Sequence, residues 1–141
     1  MENYSKVVSE KEFLFTLLAS REEICPLVIS WKRQLNKYVI ELEKYPSTLI
    51  KESNWDIYKN SAVALVEKLH LLGIFHSDIT EENFVVNPET KVIKLIDFGL
   101  SCWIDEITEE QLTNTYMTKA NSVSELLTVE VKEVEWLCEQ S

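Results

Sequence analysis

Apolar residues follow a helical rhythm in some stretches of this 141-residue chain and a strand rhythm in others. Phe13, Leu14, Leu17 and Leu18 recur at helical spacing. Ser9 stands just before them and Glu12 three residues later, a capping-box pattern, and the helix should stop between Ser20 and Glu23. Two β-branched and aromatic runs follow, ICPLVISW (24–31) and KYVIELEKY (37–45). The polar KRQLN between them predicts a hairpin, and Pro26 confines the first run to a strand edge or start. Pro46 and Ser47 mark a break. The clearest helical pattern spans 53–72, with Ser53 as cap and Asp56 three residues on. Its apolar face is Tyr58, Ala62, Leu65, Val66, Leu69 and Leu72, and Gly73 ends it as a left-handed C-cap. FVV (84–86) and VIKLI (92–96) read as short strands around an Asn-Pro-Glu-Thr turn. From Ile104 onward the pattern is helical and polar, with one helix expected over 130–138.

A chain of this length forms one domain with a modest core. Hydrophobic residues at 45% and aromatics at 10% place it among globular rather than disordered sequences. The net charge of −10 argues against nucleic acid or an anionic membrane as partner. Acidic residues concentrate late: nine Asp or Glu from Asp105 onward face only Lys119 and Lys132, as on a solvated helical surface. Cys25, Cys102 and Cys138 are odd in number and widely spaced, which indicates neither a zinc site nor a disulfide framework. Reduced thiols in an intracellular, cytoplasmic setting are expected. Residues 1–20 lack a signal-peptide pattern, and no apolar run approaches the ~20 residues a membrane helix needs.

The chemistry concentrates in HSDITEENFVVNPETKVIKLIDFGLS (76–101). His76-x-Asp78 is followed five residues later by Asn83 and fourteen further on by Asp97-Phe98-Gly99. Asp97 offers a carboxylate and Asn83 a neutral carbonyl oxygen, the hard donors that Mg²⁺ prefers, while Asp78 is an acid on a loop just past a helix end. The intervening hairpin would bring the two metal ligands together. Gly99 is expected to permit a bend after Asp97 and Phe98. His76 reads as a pin for the loop. Phosphoryl transfer from a nucleotide requires such a set: oxygens for Mg²⁺ and a carboxylate to orient the attacking hydroxyl.

At these motifs the chain resembles the protein kinase-like family. HSDITEEN is similar to its catalytic loop and IDFGLS to the start of its activation segment. The resemblance implies an α+β fold truncated at both ends, with a partial small lobe and hinge over 1–45 and a partial, mainly helical large lobe over 46–141. It implies Asp78 as catalytic aspartate, His76 as loop histidine, Asn83 and Asp97 as Mg²⁺ ligands, and ATP as cofactor. Ile40 falls in the gatekeeper place, Glu41 and Glu43 at the hinge, and Val85 beneath the adenine. The helix from Ser9 resembles the regulatory helix of the small lobe, with Glu12 in the place of the lysine-pairing glutamate. TYMTKA (115–120) is a loose echo of the end of the activation loop, and EVEWLC (133–138) could begin the next core helix, where the family has an Asp.

The departures are equally specific. Ser77 replaces the usual Arg, so activation through a phosphate paired to that Arg is not expected. Thr80 replaces the usual Lys and resembles small atypical kinases, such as those of the tRNA-modifying KEOPS complex or the RIO group. With only Gly73 and Gly99 in the chain, a glycine-rich phosphate cover cannot exist. The phosphate-anchoring lysine should precede Glu12 by a strand, a loop and two helical turns. Lys6 and Lys11 are the upstream lysines and neither has that spacing, so Glu12 is read as a capping residue. Two functions follow. One is ATP- and Mg²⁺-dependent phosphoryl transfer to Ser or Thr of a protein substrate. The other is an inactive, truncated mimic that binds and regulates a kinase or another protein, or associates with itself through surfaces the truncation exposes.

Overall fold

The first strand lies where the apolar pattern marks no element. In a computed structural model that describes residues 3–140, β1 (Asn3–Ser9) leads directly into α1 (Glu10–Arg21). Strands β2 (Val28–Gln34) and β3 (Lys37–Glu43) form the expected hairpin, although Ile24 and Cys25 are buried core residues ahead of it rather than strand. The sheet order is β1-β3-β2, antiparallel throughout, with Lys6 opposite Ile40 and Val8 opposite Tyr38. Period-2 alternation then puts Tyr4, Lys6 and Val8 on one face of β1.

Ser9 caps α1 as expected, its Oγ accepting from the Glu12 N–H at 3.2 Å. The Glu12 side chain does not complete a capping box, because it is committed to Lys6 at 2.6 Å. The buried face of α1 is also turned from the expected one: Phe13, Phe15, Thr16, Ala19 and Ser20 are buried, whereas Leu14 is exposed. The helix is covered on two sides. Phe13 joins Val8, Ile40 and Leu42 in a small cluster against the sheet, and Phe15 and Ala19 join the main core.

The larger unit is built around α2 (Lys59–Leu71), preceded by a 3₁₀ turn at Asp56–Tyr58. Ser53 is therefore not its cap; the helix starts six residues later with no side-chain cap. Its buried face, Ala62, Leu65, Val66 and Leu69, matches the expected stripe, and fully burying a Leu or Val side chain contributes roughly 1.5–3 kcal/mol. Gly73 ends the helix at φ +86°, the left-handed conformation expected of it. Strands β4 (Ser47–Thr48), β6 (Phe84–Asn87) and β7 (Val92–Leu95) make one small sheet, and β5 (Ile74–Phe75) pairs with β8 (Cys102–Trp103). The β6–β7 turn is fixed by Asn87, whose Oδ1 accepts from the Glu89 N–H at 3.1 Å. Beyond it come α3 (Glu109–Asn114) and α4 (Val123–Cys138), which begins seven residues earlier than the sequence pattern suggests and is capped by Ser122. Among the described residues no helix is long and apolar enough to cross a membrane, and all three cysteines are buried free thiols.

Candidate functional site

The β6–β7 hairpin does what its position in the motif demands. Phe84 pairs with Leu95, so Asn83 and Ile96 stand opposite each other at the open end, where the Ile96 N–H donates to the Asn83 carbonyl at 2.8 Å. Asn83 and Asp97 are thereby brought to one end of the hairpin. The Asn83 Nδ2 donates to the Asp78 carbonyl at 2.8 Å and to Asp78 Oδ2 at 3.0 Å. With its NH₂ group committed to Asp78, the carboxamide oxygen is the coordinating atom Asn83 can offer a cation.

His76 is completely buried and both ring nitrogens are engaged. Nε2–H donates to the Ile96 carbonyl at 2.9 Å, and Nδ1 accepts from the Asp78 N–H at 3.1 Å, which fixes the Nε2–H tautomer. Phe98 meets its ring edge-on at 5.3 Å. The histidine thus clamps the residue before Asp97 to the residue carrying the Asp78 carboxylate, the pinning role the sequence suggests.

Beneath the loop lies Glu130, an acid with 0% exposure on α4. Its Oε1 accepts from the His76 N–H at 3.2 Å and lies 2.7 Å from His70 Nε2 on α2, while Oε2 accepts from the Ser77 N–H at 2.7 Å and from the Tyr116 hydroxyl at 2.5 Å. Burial pushes this carboxyl's pKa up, but the His70 hydrogen bond, the His76 imidazole and the Tyr116 hydroxyl outweigh it and hold the group below the usual carboxylate range. The acid expected on this helix is therefore at Glu130, three residues before the segment 133–138.

The largest departure from expectation is Lys6. Its Nζ lies 2.6 Å from Glu12 Oε2 and 3.7 Å from Asp97 Oδ1. A long connection between lysine and glutamate is unnecessary here, because α1 starts on the residue after β1 ends. Glu12 in the first helical turn then sits beside the middle of the strand. Partial burial lowers the Lys6 pKa, yet the hydrogen bond and charge of Glu12, with Asp97, raise it above the ordinary lysine value, so the ammonium stays charged. Gly99 is needed for closeness rather than for a bend: a Cβ there would meet Asp97 Oδ1 at 3.2 Å and Glu12 Oε1 at 3.4 Å. The left-handed residue is Asp97 itself, at φ +64°. Ser77, beside Asp78, is also left-handed at φ +77°. Non-glycine residues held there cost about 1–3 kcal/mol each, and such strain tends to concentrate at functional sites.

Of these groups, Lys6 and Asp97 line a cleft of about 410 Å³. Ile40, Leu42 and Val85 give it apolar walls, and Glu43 also lines it. Of the sequence-derived residues, Ile40, Glu43, Val85 and Asp97 line the cleft, and Asp78, Asn83 and His76 join Asp97 through the hydrogen bonds above. Glu41 is not brought in: it lies between the cleft-facing Ile40 and Leu42, and its carboxylate accepts from Ser30 Oγ at 3.3 Å on β2. Lys6 is set aside in the sequence for its spacing, and the roles of Glu130 and Tyr116 are not read there. Lys6 is signalled by the alternation of Tyr4, Lys6 and Val8 just ahead of the Ser9 cap. Glu130 is signalled as an acid set within the apolar stripe Leu126, Val134 and Leu137. Tyr116 lies within TYMTKA (115–120), but nothing in that segment signals its bond to Glu130.

A strand lysine paired to a helix glutamate, facing a hairpin that unites an Asp-Phe-Gly aspartate with a His-x-Asp loop, defines a protein kinase-like fold. The family model for the protein kinase domain matches residues 15–133, and the chain belongs to that family. It is 29% identical over 114 residues to a serine/threonine-protein kinase, sid2, of Schizosaccharomyces pombe, covering 74% of this chain and 18% of that protein. It is 35% identical over 75 residues to a probable bifunctional tRNA threonylcarbamoyladenosine biosynthesis protein of Methanocorpusculum labreanum, covering 53% of this chain and 14% of that one. The solved structure of the Cydia pomonella granulovirus kinase PK-1 superposes with a TM-score of 0.65 at 18% identity, covering 94% of this chain and 58% of the viral one, a likeness of fold. The chain thus spans less than a fifth of the length of these two curated relatives.

Proposed function

We propose that this chain binds a Mg²⁺–ATP complex in the cleft and directs the γ-phosphoryl group to a Ser or Thr hydroxyl of a protein. The observation that carries this reading is the meeting of Lys6, Glu12 and Asp97 at the cleft that Ile40 and Val85 wall. The donor set fits Mg²⁺. Asp97 and the Asn83 carboxamide supply hard oxygens, and among the described residues no cluster of three or more His, Cys, Asp or Glu side chains forms a self-sufficient cage. That suits a cation that arrives with phosphate and takes one or two protein oxygens. When bound, Mg²⁺ neutralises charge on the phosphate oxygens. The rest is the work of the chain. Lys6, held by Glu12, contacts phosphate oxygens as a point charge. Ile40 and Val85 flank the base, and Glu43 marks the hinge. Asp78, one of whose oxygens Asn83 already holds, uses the other to orient the attacking hydroxyl and accept its proton. Because Ser77 is anchored through its backbone N–H to Glu130, the loop needs no phosphate to order it.

A second reading, an inactive mimic that binds another kinase or protein, is favoured by one fact. Neither Gly73 nor Gly99 lies in the β1-β3-β2 sheet, so no strand there can lay bare backbone over the phosphates. Calorimetric titration of ATP with and without Mg²⁺ separates the two. Transfer predicts Mg²⁺-dependent binding, weakened more than about tenfold by Asp97→Ala, together with γ-phosphate transfer to a protein that Asp78→Asn abolishes. Absence of binding at millimolar ATP would leave the mimic standing.

A further inference from the structure

Tyr116 does not line the cleft, yet its phenol reaches the backbone of the loop that carries Asp78. The hydroxyl accepts from the Ile79 N–H at 3.1 Å and donates to Glu130 Oε2. Around Asp78, three successive backbone N–H groups therefore end on three different partners. Ser77 donates to Glu130, Asp78 to His76 Nδ1, and Ile79 to Tyr116. The first and third are joined to each other, because the tyrosine that holds one also holds the carboxylate that receives the other. The direction of the phenol is forced, since a carboxylate can only accept. Burial, with the adjacent Glu130 charge, pushes the phenol's pKa far up, so it stays the donor the arrangement requires.

The backbone that presents the ring is unusual in its own right. Tyr116 and Met117 are consecutive non-glycine residues in the left-handed region, at φ +59° and +53°. Such a turn persists only where its surroundings hold it. Met117 is fully exposed and supplies no anchorage. The anchorage is the tyrosine ring, which meets Phe75 edge-on at 6.3 Å and packs against both buried clusters of the larger unit.

We infer that Tyr116 is a positioning residue, a latch by which the segment after Asp97 fixes the loop that carries Asp78. The inference rests on the phosphoryl-transfer reading for its effect on rate, but not for its effect on the loop. Tyr116→Phe removes one oxygen and keeps the ring. In this variant the Ile79 amide resonance should move upfield in proton–nitrogen NMR spectra recorded without nucleotide. Mg²⁺–ATP affinity should stay within about twofold, while transfer at saturating ATP should fall on the order of 10- to 100-fold, as small misplacements of a reacting group do. Met117→Gly, which relaxes the turn and keeps the phenol, should leave the Ile79 resonance and the rate in place. An unmoved Ile79 resonance in Tyr116→Phe overturns the latch whether or not the chain transfers phosphate. So does a moved resonance with an unchanged rate, or an equal loss in Met117→Gly. If the wild-type chain binds no Mg²⁺–ATP, it is the phosphoryl-transfer reading that fails, and a moved Ile79 resonance still supports the latch.

Discussion

The two sides of the cleft are held by different physics. The loop around Asp78 is fixed by buried and part-buried hydrogen bonds to His76, Glu130 and Tyr116, of which His76 and Glu130 are wholly shielded from water. The Lys6 cluster is held by a charge-assisted hydrogen bond to Glu12 and by the charge of Asp97, between side chains that keep 28%, 12% and 45% of their exposure. A buried network is all-or-none: each member leaves unsatisfied partners behind when it is lost. A partly exposed ion pair is more adjustable, because water and counterions partly replace a missing partner. Asp78 is therefore positioned beforehand, whereas the Lys6 cluster is loose enough to answer to what enters the cleft.

The sharpest break in this contrast is expected at Glu130. Glu130→Ala leaves His70, Tyr116 and two backbone N–H groups without a buried acceptor, and should cost about 3–5 kcal/mol in denaturant unfolding. The same carboxyl sets a pH dependence. Its pKa is lowered in the folded state, so the stability it contributes is present above the ordinary carboxylate value of about 4.3 and is lost as pH falls through the lowered value. Unfolding midpoints at neutral and acid pH should differ less in Glu130→Gln than in the wild type. At the other side, Lys6→Met should change stability by less than about 1 kcal/mol, while removing Mg²⁺–ATP binding measured on the same preparation. A Lys6→Met variant that unfolds like Glu130→Ala would erase the distinction.

What was legible in the sequence divides along related lines. Asp78, Asn83 and Asp97 sit on short local elements, namely a helix end, a loop and a hairpin whose turn residues are explicit, so spacing alone placed them together. Gly73 and the α2 face were equally local. Lys6 was set aside for its short spacing to Glu12, because β1 is mostly exposed and gains its meaning only by pairing with β3, some thirty residues on. The α1 face was misread because two different cores compete for the helix, and a single-stripe pattern cannot express that. Ser53 looked like a cap, but a 3₁₀ turn takes up the residues that a longer helix would have used. Tyr116 was invisible, since a left-handed tyrosine between two threonine-rich segments carries no periodic signal.

The division of α1 between two cores has a consequence for how the molecule comes apart. Phe13 and Phe15 stand two residues apart, about 200° around the helix. Phe13 closes a cluster of four buried side chains and Phe15 one of twenty. A cluster of four contributes less than one of twenty, so the β1-β3-β2 sheet is expected to open first, coming off α1 while the helix stays docked. Native-state amide hydrogen exchange should find the sheet's N–H groups exchanging through a lower-energy opening than those of α2 and α4, with equal opening energies as the contrary result. Lys6 would leave with the sheet and Glu12 would remain, so the ion pair that marks the cleft also marks the seam along which the chain first unfastens.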